Sequence, residues 1–164
     1  MKKSHKDVVE VAGAFIVAFL FYQFLILATG SQLPIVSVVS DSMYHRWGYD
    51  QWWENSGNFY QNIEISKQEF LKFQNFNGLS RGDLLLVVKP ADLKVGDIVI
   101  YQRSPRDVII VHRVIEADGD KVITKGDNNP GADQPITRAN MQGKVVFAVP
   151  VLGYPRYLLH VIGI

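Results

Sequence analysis

Two serines at the end of an apolar run are the first residues in this chain that could do chemistry. Ser40 and Ser42 follow residues 35–39, whose β-branched side chains predict a strand. The end of such a strand would present both hydroxyls. A serine is a weak nucleophile, and it needs a base and a third group that orients the base. The alternative is that these serines serve only a turn.

A candidate base and candidate orienting acids lie farther along the chain. His112 is embedded in the apolar residues 108–115. Histidine acts as a general base near neutral pH, although on an apolar strand face it more commonly belongs to the core. Asp127 and Asp133 stand six positions apart in a loop rich in Gly and Asn. They could solvate a turn, bind calcium or orient an imidazole, but their spacing excludes an EF-hand.

The composition narrows the chemistry further. The 164 residues include no cysteine, which excludes disulfides, thiol nucleophiles and thiolate zinc sites. The four histidines are scattered without metal-binding spacing, so we expect neither a metal nor a cofactor. The net charge of +1 gives no electrostatic argument for binding nucleic acid.

An uncharged apolar segment near the N-terminus would fix these residues beside a membrane. Residues 11–28 carry no charge, and about 20 such residues cross a bilayer. We therefore expect a basic cytoplasmic N-terminus over residues 1–10, a retained transmembrane helix over residues 11–29 and an extracytoplasmic domain over residues 30–164. A cleaved signal peptide would have a shorter apolar region, and a buried soluble helix would show an amphipathic stripe.

Most of the chain after this segment has the pattern of a β protein. Five further apolar runs, bounded by Gly, Pro, Asp or Ser, predict strands over residues 83–88, 95–101, 108–115, 121–124 and 143–149. Asp-Gly-Asp at residues 118–120 predicts a tight turn between the third and fourth of these runs. The fold class that we predict is mainly β, with an antiparallel sheet and one N-terminal transmembrane helix.

Residues 44–78 differ from the rest of the chain because Trp, Tyr and Phe are mixed there with polar side chains. Ser66 and Glu69 match a capping box, which predicts a short helix over about residues 67–73. Two interpretations of this aromatic insertion stay open: contact with the membrane interface, or a lid or satellite core. The apolar tail, residues 158–164, is too short to span a bilayer and would pack on the sheet or touch the membrane.

The ordered set of motifs resembles the type I signal peptidases, in the serine–histidine form of archaea and of the endoplasmic reticulum. Ser-Asp-Ser-Met at residues 40–43 is similar to the family's nucleophile motif, and Arg-Gly-Asp at residues 81–83 to its second motif. Residues 96–115 resemble the segment that carries the base, where bacterial relatives have lysine. Residues 126–129 together with Asp133 resemble the Gly-Asp-Asn box. The resemblance covers most of the chain.

The resemblance implies a membrane-anchored serine endopeptidase of the cell membrane that removes signal peptides from secretory preproteins after small residues. It implies that Ser42 is the nucleophile and His112 the base. Asp133 is the first choice to orient His112, with Asp127 supporting the site. The Ser42 amide and the Ser40 hydroxyl would form the oxyanion hole. The expected partners are preproteins and the bilayer, and subunits of a complex are left open.

The chain departs from the family pattern in two places. His45 stands where the family often has proline, so a second imidazole three residues from Ser42 is a rival base. We favour His112 because its surroundings match the motif. The aromatic insertion is also longer than in compact relatives. Two alternatives follow: a catalytically silent anchored module that binds partners through its Trp-rich segment, or a self-cleaving Ser–Lys protease with Lys89 or Lys94 as the base.

Overall fold

Seven antiparallel strands form the sheet of this protein in a computed structural model that describes residues 2–163. The strands are β1 (Ile35–Ser37), β2 (Leu84–Val88), β3 (Ile98–Tyr101), β4 (Ile110–Asp118), β5 (Lys121–Lys125), β6 (Ile136–Thr137) and β7 (Met141–Val149). Their order across the sheet is β1-β2-β7-β3-β4-β5-β6, and each neighbouring pair is antiparallel. The predicted fold class, mainly β with an antiparallel sheet, is confirmed.

Each apolar run that predicted a strand overlaps one, because β-branched and apolar side chains pack well on a half-buried sheet. The hairpin of β4 and β5 closes at the pair Asp118 and Lys121, and Gly119 in the turn takes the positive φ of 55° that the turn requires. Strand β6 has only two residues, which is too short to leave a pattern in the sequence. The central strand β3 is buried along its whole length.

The first helix, α1 (Lys2–Thr29), carries the apolar segment. Its apolar stretch Lys6–Thr29 has 24 residues and is about 36 Å long, which exceeds the roughly 30 Å of a hydrocarbon core. None of that stretch is buried against the rest of the protein, so the interpretation as a buried soluble helix is wrong. The exposed apolar surface is what a single membrane span requires.

The aromatic insertion folds into three short helices with a core of their own. The helices are α2 (Tyr49–Ser56), α3 (Asn58–Asn62) and α4 (Lys67–Phe70). The side chains buried between them are Tyr49, Trp52, Trp53, Tyr60, Ile65 and Phe70. We call residues 49–76 the aromatic module. The interpretation as a satellite core is confirmed for these side chains.

The predicted capping box of the insertion is present. The Glu69 amide donates to Ser66 Oγ, and the Ser66 amide donates to the Glu69 carboxylate. The helix that it starts ends at Phe70, which is three residues earlier than predicted, because the chain turns there instead of continuing the helical ladder.

The C-terminal tail lies in helix α5 (Tyr154–Val161), which begins with Pro155 in its first turn and contacts β1. Residues 158–163 of the predicted tail are exposed, and Ile164 lies outside the described residues, so packing of the tail on the sheet and its contact with the membrane both stay predictions. The exposed apolar side chains of α5 include Leu158 and Val161. The contact with β1 brings α5 beside the serines that follow that strand.

Candidate active site

The turn after β1 holds Ser42 through buried neighbours. The adjacent Met43 is 1% exposed and anchors the turn in the core of the sheet. The Leu79 amide donates to the Met43 carbonyl at 2.8 Å, and the Tyr44 amide donates to the Asp41 carbonyl at 3.0 Å. These bonds fix the backbone on the side of Ser42 that faces the core. Ser40 Oγ lies 3.2 Å from Ser42 Oγ, so the two hydroxyls form one polar pair.

The predicted second motif, residues 81–83, packs directly against this turn. The Val38 amide donates to the Asp83 carbonyl at 2.9 Å, and the Gly82 amide donates to the Val38 carbonyl at 2.9 Å. An Arg81 side-chain nitrogen lies 2.6 Å from an Asp41 carboxylate oxygen. The motif therefore steadies the strand end that presents Ser42.

His112 lies on β4, and its partner is Asp133. Nδ1 of His112 is 2.6 Å from Oδ2 of Asp133, and Thr124 Oγ1 donates to the same carboxylate oxygen at 2.7 Å. Partial burial would raise the pKa of Asp133, but the hydrogen bonds from His112 and Thr124 outweigh it and hold that pKa below its ordinary value. An ionised Asp133 accepts a hydrogen bond from Nδ1–H of His112, which keeps the proton on Nδ1 and leaves Nε2 with a free lone pair.

Ser42 and His112 line the same cavity, which has a volume of about 770 Å³. Most of its wall is apolar and comes from the segments around β1 and the start of β4: Leu33, Ile35, Val36, Val38, Val39, Val108, Ile109, Ile110 and Val111. Helix α5 adds Arg156 and His160 to the same wall. The arrangement is an apolar groove that ends at a hydroxyl and an imidazole.

The loop of residues 126–129, which we call the catalytic loop, joins the Ser42 turn to His112. The Asn128 amide donates to the Ser42 carbonyl at 2.8 Å, and Asn128 Nδ2 donates to the Asp41 carbonyl at 3.1 Å. A Cβ placed on Gly126 would lie 2.7 Å from Nε2 of His112. Only glycine leaves the loop this close to the imidazole without displacing it.

Asp127 belongs to the catalytic loop but points away from the imidazole. Its side chain is fully buried and accepts hydrogen bonds from Tyr60 Oη at 2.7 Å, from Arg113 Nη2 at 2.7 Å and from His45 Nε2 at 2.9 Å. Burial would raise the pKa of Asp127, but the Arg113 charge and the hydrogen bonds from His45 and Arg113 lower it more, so the carboxyl is ionised. Of the two predicted aspartates, the structure pairs Asp133, and not Asp127, with His112.

His45, the rival base, is part of the Asp127 cluster. Its ring stacks on Trp52 with the centroids 3.6 Å apart, and its side chain has no exposed surface. Burial lowers the pKa of His45 despite the hydrogen bond to Asp127. Its Nε2 is occupied by Asp127, so it is not available to Ser42. The alternative lysines, Lys89 and Lys94, are exposed residues outside the cavity wall.

Sequence reasoning missed three groups in and around the site. Thr124 steadies Asp133, and its strand position opposite Val114 in the β4–β5 hairpin is the signal that could have located it. Arg156 and His160 reach the cavity from helix α5, whereas the sequence indicated only that the tail, residues 158–164, packs on the sheet or touches the membrane. Within residues 2–163, no group of three or more His, Asp or Glu side chains is arranged to hold a metal ion.

Comparison with known proteins found no matching family model, but it found similar chains. This chain is 32% identical over 152 residues to the signal peptidase complex catalytic subunit SEC11 of Zygosaccharomyces rouxii, covering 84% of this chain and 72% of the relative. It is 31% identical over 157 residues to the SEC11 subunit of Metarhizium acridum, covering 87% and 73%. It is 29% identical over 153 residues to that of Lachancea thermotolerans, covering 84% and 72%.

Proposed function

This chain belongs to the family of signal peptidase catalytic subunits, and on that premise we propose that it is a membrane-anchored serine endopeptidase that removes signal peptides from secretory preproteins. Ser42 is the nucleophile, His112 the general base and Asp133 the residue that orients it. The observation that carries this proposal is the cavity lined by both Ser42 and His112, together with the 2.6 Å contact between Nδ1 of His112 and Oδ2 of Asp133.

The reaction follows from the chemistry of these groups. Ser42 Oγ attacks the scissile carbonyl carbon while Nε2 of His112 takes its proton. The imidazolium is stabilised by Asp133 and then gives the proton to the leaving amine. Water, activated by the same imidazole, hydrolyses the acyl-enzyme. This sequence needs no cofactor, because proton transfer and covalent catalysis are both supplied by side chains.

The oxyanion hole consists of the Ser42 amide and the Ser40 hydroxyl. Ser40 Oγ and Ser42 Oγ are 3.2 Å apart, which supports this assignment. When Ser42 Oγ attacks the scissile carbonyl carbon, the carbonyl oxygen on that carbon lies within reach of the Ser40 hydroxyl. Each such donor contributes about 3–4 kcal/mol to the stabilisation of the transition state.

The cavity and the anchor together favour a signal peptide as the substrate. An extended peptide would place its small apolar side chains against the apolar wall around β1 and residues 108–111. Helix α1 spans the bilayer with residues 1–10 in the cytoplasm, so residues 30–164 meet the substrate at the outer surface of the cell membrane. The common anchorage raises the effective concentration of a membrane-inserted preprotein. The relatives are named as subunits of a complex, and we propose assembly with further subunits on that basis alone.

The test is cleavage of a synthetic preprotein by the purified full-length chain in detergent, with the product masses locating the cut. We expect a single cut after a small residue at the end of the apolar region of the signal peptide. Ser42→Ala abolishes the cut, and Ser104→Ala, a serine outside the cavity wall, does not. Absence of cleavage by the folded wild-type chain, or cleavage by Ser42→Ala, would contradict the proposal.

A further inference from the structure

Outside the cavity wall lies a cluster of buried titratable groups that takes no part in the steps above. It consists of Asp127, Arg113, His45 and Lys125, and the aromatic module covers it. We infer that the aromatic module is a positioning element of the active site, which holds the catalytic loop directly through Tyr60 and indirectly through His45, whose ring stacks on Trp52 of the module. This inference rests on the proposed function, because it assigns the module a role in that reaction.

The first contact between the module and the catalytic loop is made by Tyr60. Its hydroxyl donates to Oδ1 of Asp127 at 2.7 Å, and its side chain has no exposed surface. The ring packs edge to face against Phe70 with the centroids 4.8 Å apart. The position of the hydroxyl is therefore fixed by the core of the module and not by solvent.

The second contact is made by His45, whose ring the module holds in place. Stacking on Trp52, with the two planes 4° apart, directs Nε2 at Oδ2 of Asp127, 2.9 Å away. In the described part of the chain, the buried Nδ1 of His45 has no hydrogen-bond partner. The ring N–H is therefore at Nε2, and it donates a hydrogen bond to the Asp127 carboxylate.

The module is also hydrogen-bonded to β4 next to the base. Arg113 directly follows His112, and its guanidinium donates to the carbonyl oxygens of Gln74 and Asn75 at 3.0 Å each, while Nη2 also reaches Asp127 at 2.7 Å. One guanidinium thus ties the module, the catalytic loop and the strand of the base together. Because the ion pair is fully buried, loss of either partner would leave an uncompensated charge.

Lys125 closes the catalytic loop from its other side. Its ammonium donates to the carbonyl oxygens of Gly126 at 3.0 Å and of Asn129 at 2.7 Å. The same ammonium lies 4.9 Å from the centre of the Phe59 ring and 5.2 Å from that of Tyr60. These module rings stabilise the buried cation, so the loop has a second anchor in the module.

Because the catalytic loop contacts both Ser42 and His112, its position fixes the position of these reacting groups. Asn128 holds the Ser42 carbonyl, and Gly126 lies against Nε2 of His112. A displacement of about 1 Å in such a constellation can cost about 100-fold in rate. No residue of the module lines the cavity, so a loosened loop should lower kcat and leave KM unchanged.

The test compares two variants that each remove one tyrosine hydroxyl from the module. Tyr60→Phe removes the bond to Asp127, whereas Tyr49→Phe removes a bond of similar length, 2.9 Å, to the Lys67 carbonyl within the module. We expect Tyr60→Phe to lower kcat about 10- to 100-fold with KM within about twofold, and Tyr49→Phe to keep both within about twofold. Equal kcat values in the two variants would overturn the inference.

A readout that does not need activity separates this inference from the proposed function. Hydrogen exchange of the Asn128 amide, which donates to the Ser42 carbonyl, should be faster in Tyr60→Phe than in Tyr49→Phe. Unchanged protection in Tyr60→Phe would overturn the inference even if the wild-type chain cleaves preproteins. Accelerated exchange would support it even if the cleavage assay fails.

The role of His45 as a hydrogen-bond donor to Asp127 is tested by comparing a substitution that keeps an N–H donor with one that removes it. His45→Gln keeps an N–H that can reach Asp127, and His45→Leu removes it. We expect the Gln variant to retain a kcat at least fivefold above that of the Leu variant, an order-of-magnitude figure for one hydrogen bond to a charged group. An equal loss in both variants would overturn the role of His45 as a donor.

Discussion

Replacing Asp133 with asparagine isolates the charge that faces the base. In the wild-type chain, Oδ2 of Asp133 lies 2.6 Å from Nδ1 of His112 and accepts from Thr124 Oγ1 at 2.7 Å. An amide nitrogen in that place donates instead of accepting, so it stabilises the imidazole tautomer whose proton lies on Nε2. That tautomer cannot take the proton of Ser42.

The expected loss of kcat follows from the similarity of this arrangement to a Ser-His-Asp triad. The same substitution in a Ser-His-Asp triad lowers kcat by about 10⁴-fold, equivalent to about 5 kcal/mol at the transition state. We expect about 10³- to 10⁴-fold for Asp133→Asn. The cost to folding is smaller, about 1 kcal/mol, because the Thr124 hydroxyl, which contacts the same position, can rotate and accept a hydrogen bond from the amide nitrogen.

The assay measures kcat on a preprotein together with unfolding followed by tryptophan fluorescence. Trp52 and Trp53 are buried in the aromatic module and report whether the variant is folded. The reasoning would be refuted by a folded Asp133→Asn chain whose kcat lies within tenfold of the wild-type value. Asp133 would then be a structural partner of His112 and not its orienting group.

Three further predictions concern the catalytic loop and the cluster beneath it. Gly126→Ala should lower kcat at least about tenfold, because its Cβ would lie 2.7 Å from His112 Nε2; Gly131→Ala, where no atom lies within 4 Å of the new Cβ, should leave kcat unchanged. Arg113→Met should lower the free energy of unfolding by about 3–5 kcal/mol in a denaturant titration, since it leaves the charge of the buried Asp127 carboxylate without its guanidinium partner; a loss below about 1 kcal/mol would contradict this. The pKa of Asp127 is lowered in the folded state, so its stabilisation is complete above the unfolded pKa of about 3.9 and is lost as the pH falls below it. As the pH is lowered from about 4 to about 2, the unfolding midpoint should therefore drop more steeply in the wild-type chain than in Asp127→Asn, and parallel curves in this range would count against the ion pair.

The residues that act in the proposed reaction could be predicted from the sequence, because each belongs to a short motif and the motifs follow one another along the chain in a fixed order. What the motifs left open was which aspartate faces His112. The answer follows from strand alternation: adjacent residues of β4 point to opposite faces, so His112 takes Asp133 on one side and Arg113 takes Asp127 on the other. An arginine next to the candidate base was the signal for a second, structural carboxylate.

The aromatic module shows where sequence reasoning ends. The strands of the sheet were predictable from apolar runs. Helices α2 and α3 of the module were not, because they are only eight and five residues long and carry too few apolar positions to define a helical face. Their side chains are buried by one another and by the Asp127 cluster, so the module is a product of tertiary packing. The burial of His45 likewise depends on stacking against Trp52 of helix α2, a tertiary contact that no local pattern predicts.

In the proposed reaction, His112, held by Asp133, is the base that activates Ser42. The most direct test is the initial rate of preprotein cleavage by folded His112→Ala beside the wild-type chain. We predict a loss of at least about 10⁴-fold, because Ser42 then has no group to take its proton. A His112→Ala chain that cleaves within tenfold of the wild-type rate would contradict the claim and place the base elsewhere.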